Sequence, residues 1–501
     1  MKDWIADAVI YQVNLRAFAA REPRNPLEAR AEMQAGQGAV SPLTFLAQHL
    51  SHIKDLGANV VYLMPPFPMG IEGRKGVGSN YSIRDFQAID PEYGVLEEFV
   101  VLVERVHKAG LHIILDLTPN HTSRDNVWAA TPGIHCRDAD GSLTYDFDWS
   151  DTAKLDYTNP KTREAMHAVL SFWLDVCGGD GVDGFRFDMA HMINDLSFWD
   201  EVLPDLRSRH AERDLLFLAE CYGVERNRDL FARGMNAAYD DDFYKVCQYG
   251  YARDDDGASR ICLSKEAFGN ADFSAKAEAF SAHGIAGAFE RTLMDYGEGT
   301  ACGDGPWVAR YSDNHDEGRG RYRFGDGAVQ AVSRLIFLAG HSLPFLLCGQ
   351  EFGAINRPTI HDRLKPCDKG YRVCGTDCEQ CDAVAGVEFE GNLFARTAGE
   401  RARWFNLYRE LIALRAAHAA LRRGTTVLLD VGEACPQHQR TVVAFERELN
   451  GITLCCAVNM GPQARTLKNV SALKGETLYG RLDGGTLNPF EAVVTQLTSG
   501  S

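Results

Sequence analysis

Four short segments carry reactive side chains at similar points of a repeated pattern. DLTPNH holds Asp116, Asn120 and His121, GFRFD holds Arg186 and Asp188, FLAE ends in Glu220, and YSDNHDE holds Asn314, His315 and Asp316. Each follows a β-rich run. Three carboxylates, Asp188, Glu220 and Asp316, therefore fall at the ends of three different strands, with an arginine and two histidines among them. A single acid at a strand end often only caps the next helix. Acids cost free energy to bury, so a concentration at one rim points to chemistry. The reaction that fits is glycoside cleavage, in which one carboxylate attacks or stabilises the anomeric carbon and one carboxylic acid protonates the leaving oxygen. Arg186 and Asp188 sit at i and i+2 of a strand, so both project to one face. Arg186 should keep Asp188 ionised, as a nucleophile must be. Glu220 follows the apolar run LLFLA, where desolvation should favour its acid form. Asp316 could stabilise positive charge on a sugar ring, and His121 and His315 have donors for sugar hydroxyls.

These residues need a scaffold that brings distant segments to one rim. Strand candidates recur at 8–15, 58–64, 112–117, 181–188, 215–220, 237–239, 307–312 and 344–348, with helical stretches at 43–56, 96–109, 161–176 and 328–339. Within 96–109, Leu96, Phe99, Val100, Val103 and Val106 fall on one helical face, and Gly110 follows as a C-cap. Eight strands alternating with helices predict an α/β fold, a (β/α)8 barrel with catalytic groups at the C-terminal strand ends. Residues 119–159 break the rhythm and read as an insertion after strand three, while 253–305 and 354–399 read as irregular. Short alternating runs beyond Gly424 predict a small antiparallel β domain. The predicted organisation is a barrel over 1–118 and 160–420, an insertion over 119–159, and a C-terminal β-sandwich domain over 421–501.

The 501-residue chain has 45% hydrophobic and 24% charged residues, which excludes disorder or coiled coil as its main architecture. Its net charge of −17 disfavours nucleic acid and anionic membrane surfaces as partners. No apolar run is long enough to span a bilayer, and MKDWIADAVIYQ lacks the apolar core of a signal peptide, which predicts a cytoplasmic protein or one without its leader. Cysteines in apolar stretches, such as Cys348, Cys455 and Cys456, read as buried thiols of a reducing compartment.

The motifs together resemble the α-amylase family, glycoside hydrolase family 13. DLTPNH, GFRFD, the AE of FLAECY and SDNHD are similar to its four main segments. GSNYSIRDFQAIDPEYG, KLDYTNP and GQEFG are similar to three more, and all seven stand in the family's order. The resemblance implies Asp188 as nucleophile, Glu220 as general acid/base and Asp316 as transition-state stabiliser. It places Tyr81, His121, Arg186 and His315 around the same sugar, with Asp116 supporting the site without reacting. It implies a retaining hydrolase of malto-oligosaccharides or related α-glucans, with a transglycosylase on the same substrates as the alternative. A non-catalytic carbohydrate-binding member would be expected to lack one of the three carboxylates, and all are present. Where many members have Lys-His after the nucleophile, this chain has His191-Met192, a change on the acceptor side. Asn120 and Asp156 resemble calcium ligands of some members, but Met192 and Lys154 replace other parts of that site, so calcium is a weak expectation.

Catalysis of this kind requires no cofactor. Cys367, Cys374, Cys378 and Cys381 lie within one polar loop and could hold a structural zinc, or remain reduced or disulfide-bonded. Trp128, Tyr145, Phe147 and Trp149 are either sugar platforms or the insertion's own core, and Arg74 and Lys75 either touch substrate or are solvated.

Overall fold

The apolar runs become eight parallel strands: β1 (Ile10–Val13), β2 (Val60–Leu63), β3 (His112–Leu117), β4 (Gly184–Phe187), β5 (Leu216–Ala219), β6 (Ala237–Tyr239), β7 (Trp307–Arg310) and β8 (Ser342–Leu347). They close into a barrel in sequence order, β8 pairing with β1. Nearly every strand residue is buried, because helices cover the outside and side chains fill the inside. This computed structural model describes residues 4–18, 40–76, 78–254, 258–262, 274–296, 305–355, 364–367, 370–373 and 398–497.

Helix ends follow local chemistry. Ser41 caps the helix Pro42–Gln48 by accepting from the Thr44 N–H, and Asn159 caps Pro160–Asp175 by accepting from the Lys161 N–H, each with proline at the first helical position. The helix Leu96–Lys108 buries Phe99, Leu102, Val103 and Val106, and Gly110 follows it at φ 75°. The stretch expected as one helix over 43–56 is two, Pro42–Gln48 and Leu50–Leu56, joined at His49, whose ring bonds the Phe45 carbonyl. The span 253–305, read as irregular, contains the helix Ser274–Met294, kinked at His283 and Gly284. Its glycines masked a run otherwise rich in helix-forming residues.

In the insertion, His121–Ser123 pairs antiparallel with Thr152–Lys154, so the segment leaves and rejoins the barrel through one short hairpin. At the C-terminus, β9 (Thr425–Leu428), β10 (Val442–Leu449), β11 (Ile452–Asn459), β12 (Glu476–Gly480) and β13 (Ala492–Gln496) form an antiparallel sheet ordered β9-β10-β11-β13-β12. Strand alternation divides its faces. Val443, Phe445, Leu454, Cys456 and Val458 join the barrel's core, whereas Val442, Ala444, Cys455 and Ala457 form a second core with Leu467 and Leu487. Among the described residues, no helix is long and apolar enough to cross a membrane.

The cysteine-loop expectation falls largely outside the described residues. Cys367 ends the strand Leu364–Cys367 of a hairpin with Gly370–Val373, and Cys374, Cys378 and Cys381 lie beyond them.

Candidate active site

Parallel pairing sets the site in two layers. Asp116 on β3 pairs with Arg186 on β4, and Arg186 with Leu218 on β5. The ladder continues one step beyond the strands, where the Asp188 N–H bonds the Leu117 carbonyl and the Glu220 N–H bonds the Phe187 carbonyl. Asp116 and Arg186 therefore occupy a lower layer inside the barrel, and Asp188 and Glu220 stand above them.

Arg186 is fully buried and serves three carboxylates. Its Nη1 donates to Asp116 Oδ1 at 2.9 Å and to Asp188 Oδ1 at 3.0 Å. Its Nη2 lies 2.8 Å from Glu220 Oε2 as an ion pair without hydrogen-bond alignment. The guanidinium also faces the rings of Tyr81 and Tyr239, at 5.7 and 5.2 Å from their centroids. One positive charge thus faces three acids, and Arg186 favours the ionised form of Asp188 against burial and the neighbouring acids. Burial and the Glu220 charge push the Asp188 carboxyl well above its usual range, and Arg186 offsets them only in part. Glu220, expected to be favoured as an acid by its apolar setting, is buried and also receives two donors. Met189 N–H gives to Oε2 at 3.0 Å and Tyr222 O–H to Oε1 at 2.5 Å. Met189 makes its contact from a left-handed backbone, φ 45°, a strained conformation held between Asp188 and the Glu220 carboxylate.

A second chain of contacts orders Tyr81 and His315. Gln12 Nε2 lies 2.8 Å from His315 Nδ1, His315 Nε2 lies 2.6 Å from the Tyr81 hydroxyl, and that hydroxyl donates to Asp116 Oδ2 at 2.7 Å. Taken as a donor sequence, these contacts assign His315 the Nε2–H tautomer. The Tyr81 and His315 rings stack at 5.2 Å. Tyr62 adds a second hydroxyl to Asp116 Oδ2 at 2.6 Å. His121 hydrogen-bonds the Tyr81 backbone, and burial lowers it to about 4, so it is neutral near pH 7. Asp316 is held from behind, its N–H on Asn314 Oδ1 at 2.9 Å, while its carboxylate stays 43% exposed and 3.1 Å from His315 Nε2.

These groups open into a cavity of about 840 Å³ lined by Tyr81, His121, Asp188, Glu220, His315 and Asp316. His191, Met192, Tyr222 and Arg226 form another part of its wall, and Lys75, Phe147 and Trp149 reach it from the loops. The structure thus brings together every expected carboxylate and sugar-binding residue, with Asp116 and Arg186 beneath the cavity. It separates the aromatic candidates. Trp128 stacks on Phe86 at 5.2 Å and belongs to the core. Phe147 is 71% exposed, touches Trp149 edge-on at 4.9 Å, and Trp149 lies 5.3 Å from His121. Arg74 is spent on the Gly70 and Met69 carbonyls.

Sequence reading missed Gln12, Tyr62 and Tyr222. Gln12 left a signal, a polar residue inside the apolar run IYQV.

The residues at the hairpin base do not fit a calcium ion. Lys154 Nζ contacts both oxygens of Asp146, at 2.7 and 3.0 Å, and Asn120 turns its Nδ2 donor onto the same carboxylate at 2.8 Å. Asp156 Oδ1 accepts from Thr158 and Asn194. An ammonium and amide donors take the places that a cation's oxygen ligands would need. Among the described residues no group of His, Cys, Asp and Glu is arranged to hold a metal.

The chain is 24% identical to alpha-amylase 3 of Dictyoglomus thermophilum over 99% of its own length and 94% of that protein's. It is 32% identical to the trehalose synthase/amylase of Mycobacterium tuberculosis over 37% of this chain and 33% of that one. The α-amylase of Lactobacillus plantarum shares the fold, with a TM-score of 0.66, 24% identity and 99% of both chains covered. The α-amylase catalytic-domain family matches residues 34–135 and 140–424. With most of the chain matched, this protein belongs to the α-amylase family, glycoside hydrolase family 13.

Proposed function

We propose that the protein is a retaining α-glycoside hydrolase that cleaves short malto-oligosaccharides or related α-glucosides. The observation that carries this reading is the placing of Asp188 and Glu220 on one buried guanidinium at the floor of a cavity, with Asp316 at its wall. In the first step Asp188 attacks C1 as Glu220 passes its proton to the glycosidic oxygen, so the C1–O bond breaks and a glycosyl ester forms. In the second, water attacks C1, gives its proton to Glu220, and the ester bond to Asp188 breaks. Asp316 and His315 lie where they can hold ring hydroxyls, the Asp316 carboxylate can offset positive charge, and neutral His121 lines the same cavity. Arg186 stays charged through both steps and balances whichever carboxylate is ionised.

Cavity size and the nearby aromatic pair favour oligosaccharides over polymer. The Phe147–Trp149–His121 series leads outward from the sugar site and offers an apolar face to a further ring. The test is catalytic efficiency per cleavable bond on maltotriose against soluble starch, with NMR of the first-formed anomer. A preference for maltotriose and initial α-anomer are expected. Initial β-anomer defeats retention, and a preference for starch moves the protein to polymer-acting amylases.

A transglycosylase is the second reading, favoured by the similarity to a trehalose synthase/amylase and by the wall of His191, Met192 and Tyr222 that an acceptor would meet. Product analysis with maltose separates the two: glucose alone supports hydrolysis, and longer or isomerised glucosides support transfer.

A further inference from the structure

The two oxygens of Glu220 are differently engaged. Oε2 faces Arg186 and the Met189 N–H and is turned toward the barrel. Oε1 is the oxygen left for a leaving group, and it accepts the Tyr222 hydroxyl. The placement follows from alternation past β5: Glu220 points inward, Cys221 is fully buried on the other side, and Tyr222 returns to the cavity wall. Gly223, at φ 94°, then turns the chain into the helix Val224–Ala232. Among the described residues Tyr222 is the one hydrogen-bond donor to Oε1.

We propose that the Tyr222 hydroxyl is a positioning group for proton transfer at Glu220, holding Oε1 toward the leaving oxygen and favouring release of its proton. The proposal rests on the acid/base role proposed above for Glu220. As the Glu220 proton moves to the glycosidic oxygen, the carboxylate left behind gains full benefit of the Tyr222 O–H. When water later returns a proton to Glu220, that bond weakens, so the hydroxyl poises the group between its two tasks. Burial and the Glu220 charge push the Tyr222 phenol well above its usual range, so it remains a donor at working pH. Other charges surround the pair without bonding Oε1. Arg186, Asp188, His121 and His191 act on Glu220, whereas Asp316 and Asp241 act on Tyr222 and Lys245 lies 5.8 Å over its ring. A Tyr222→Phe change leaves all of these in place.

The experiment compares pH profiles of kcat/KM for wild type and Tyr222→Phe on maltotriose, with α-glucosyl fluoride as a substrate whose leaving group needs no proton. Without the hydroxyl the acid holds its proton more readily, so the alkaline limb on maltotriose should move up by about one pH unit, the effect of losing a hydrogen bond to a charged group. The formation of glycosyl enzyme from the fluoride should stay within about twofold, because the ring is retained. An unmoved alkaline limb, or an equal loss on both substrates, would overturn the proposal and leave Tyr222 as packing. Glu220→Gln is the separate check on the underlying role: full turnover of maltotriose by that variant removes the acid/base assignment itself.

Discussion

Asp188→Asn should make the protein more stable while it destroys activity. The structure places three carboxylates, Asp116, Asp188 and Glu220, within 3.0 Å of one buried guanidinium, so the cluster carries more negative charge than Arg186 can offset. Burial and Glu220 raise the Asp188 carboxyl. A carboxyl raised on folding costs stability above its unfolded value near 3.9, and the cost grows until pH passes the folded value. Asparagine has the same shape, and its Oδ1 can still accept the Arg186 Nη1 bond. Folding disfavours the charged form of this carboxyl at least tenfold, about 1.4 kcal/mol, and asparagine removes that cost. For a chain of 501 residues that corresponds to a melting temperature higher by about 1 °C or more at neutral pH. The gain should shrink as pH falls toward the unfolded value near 3.9 and vanish below it, where the acid is neutral in both states. The assay is thermal unfolding of both proteins from acid to neutral pH, paired with turnover of maltotriose. Activity should fall to below about a hundredth of wild type, since the amide cannot form the glycosyl ester. A variant no more stable than wild type at neutral pH, or one with a gain independent of pH, would refute the charge argument. Retained activity would refute the nucleophile.

At the opposite end of the barrel, His107 Nε2 lies 2.9 Å from Asp183 Oδ2; burial disfavours its charge, but the Asp183 bond and charge outweigh it and raise it. A raised histidine contributes stability that is full below its unfolded value of about 6.5 and lost as pH rises through the folded one, so His107→Gln should flatten the loss of melting temperature above that pH. Lys154→Met should leave Asp146 without its ammonium, loosen Asn120 beside His121, and raise KM for maltotriose more than it lowers kcat, whereas chelator should leave wild-type kinetics unchanged. Phe147→Ala should lower kcat/KM on maltotriose about two- to tenfold, the worth of one ring contact. The same variant should not change kcat/KM on a substrate with a single sugar; equal losses on both would place Phe147 in the fold rather than in recognition.

The candidate site residues were legible because each sits in a local pattern: an apolar run, then polar groups at alternating positions. Strand period two alone puts Arg186 and Asp188 on one face, and eight such runs between amphipathic stretches suffice for a barrel. Helix starts at Ser41 and Asn159 are likewise local, since a cap and a proline act within one turn. The glycine-interrupted helix Ser274–Met294 escaped because its intrinsic signal is weak and its packing decides it. What only the closed barrel settled are distances between strands far apart in sequence. Gln12 meets His315 across 303 positions, and Tyr62 meets Asp116 across 54, so no local period records either contact. The same holds for charge: sequence pairs Arg186 with Asp188, but closure brings in Asp116 and Glu220 and divides one guanidinium among three acids. Local patterns name the candidate groups, because they depend on neighbours along the chain. The protonation of those groups depends on burial and on every charge nearby, and both come from tertiary packing.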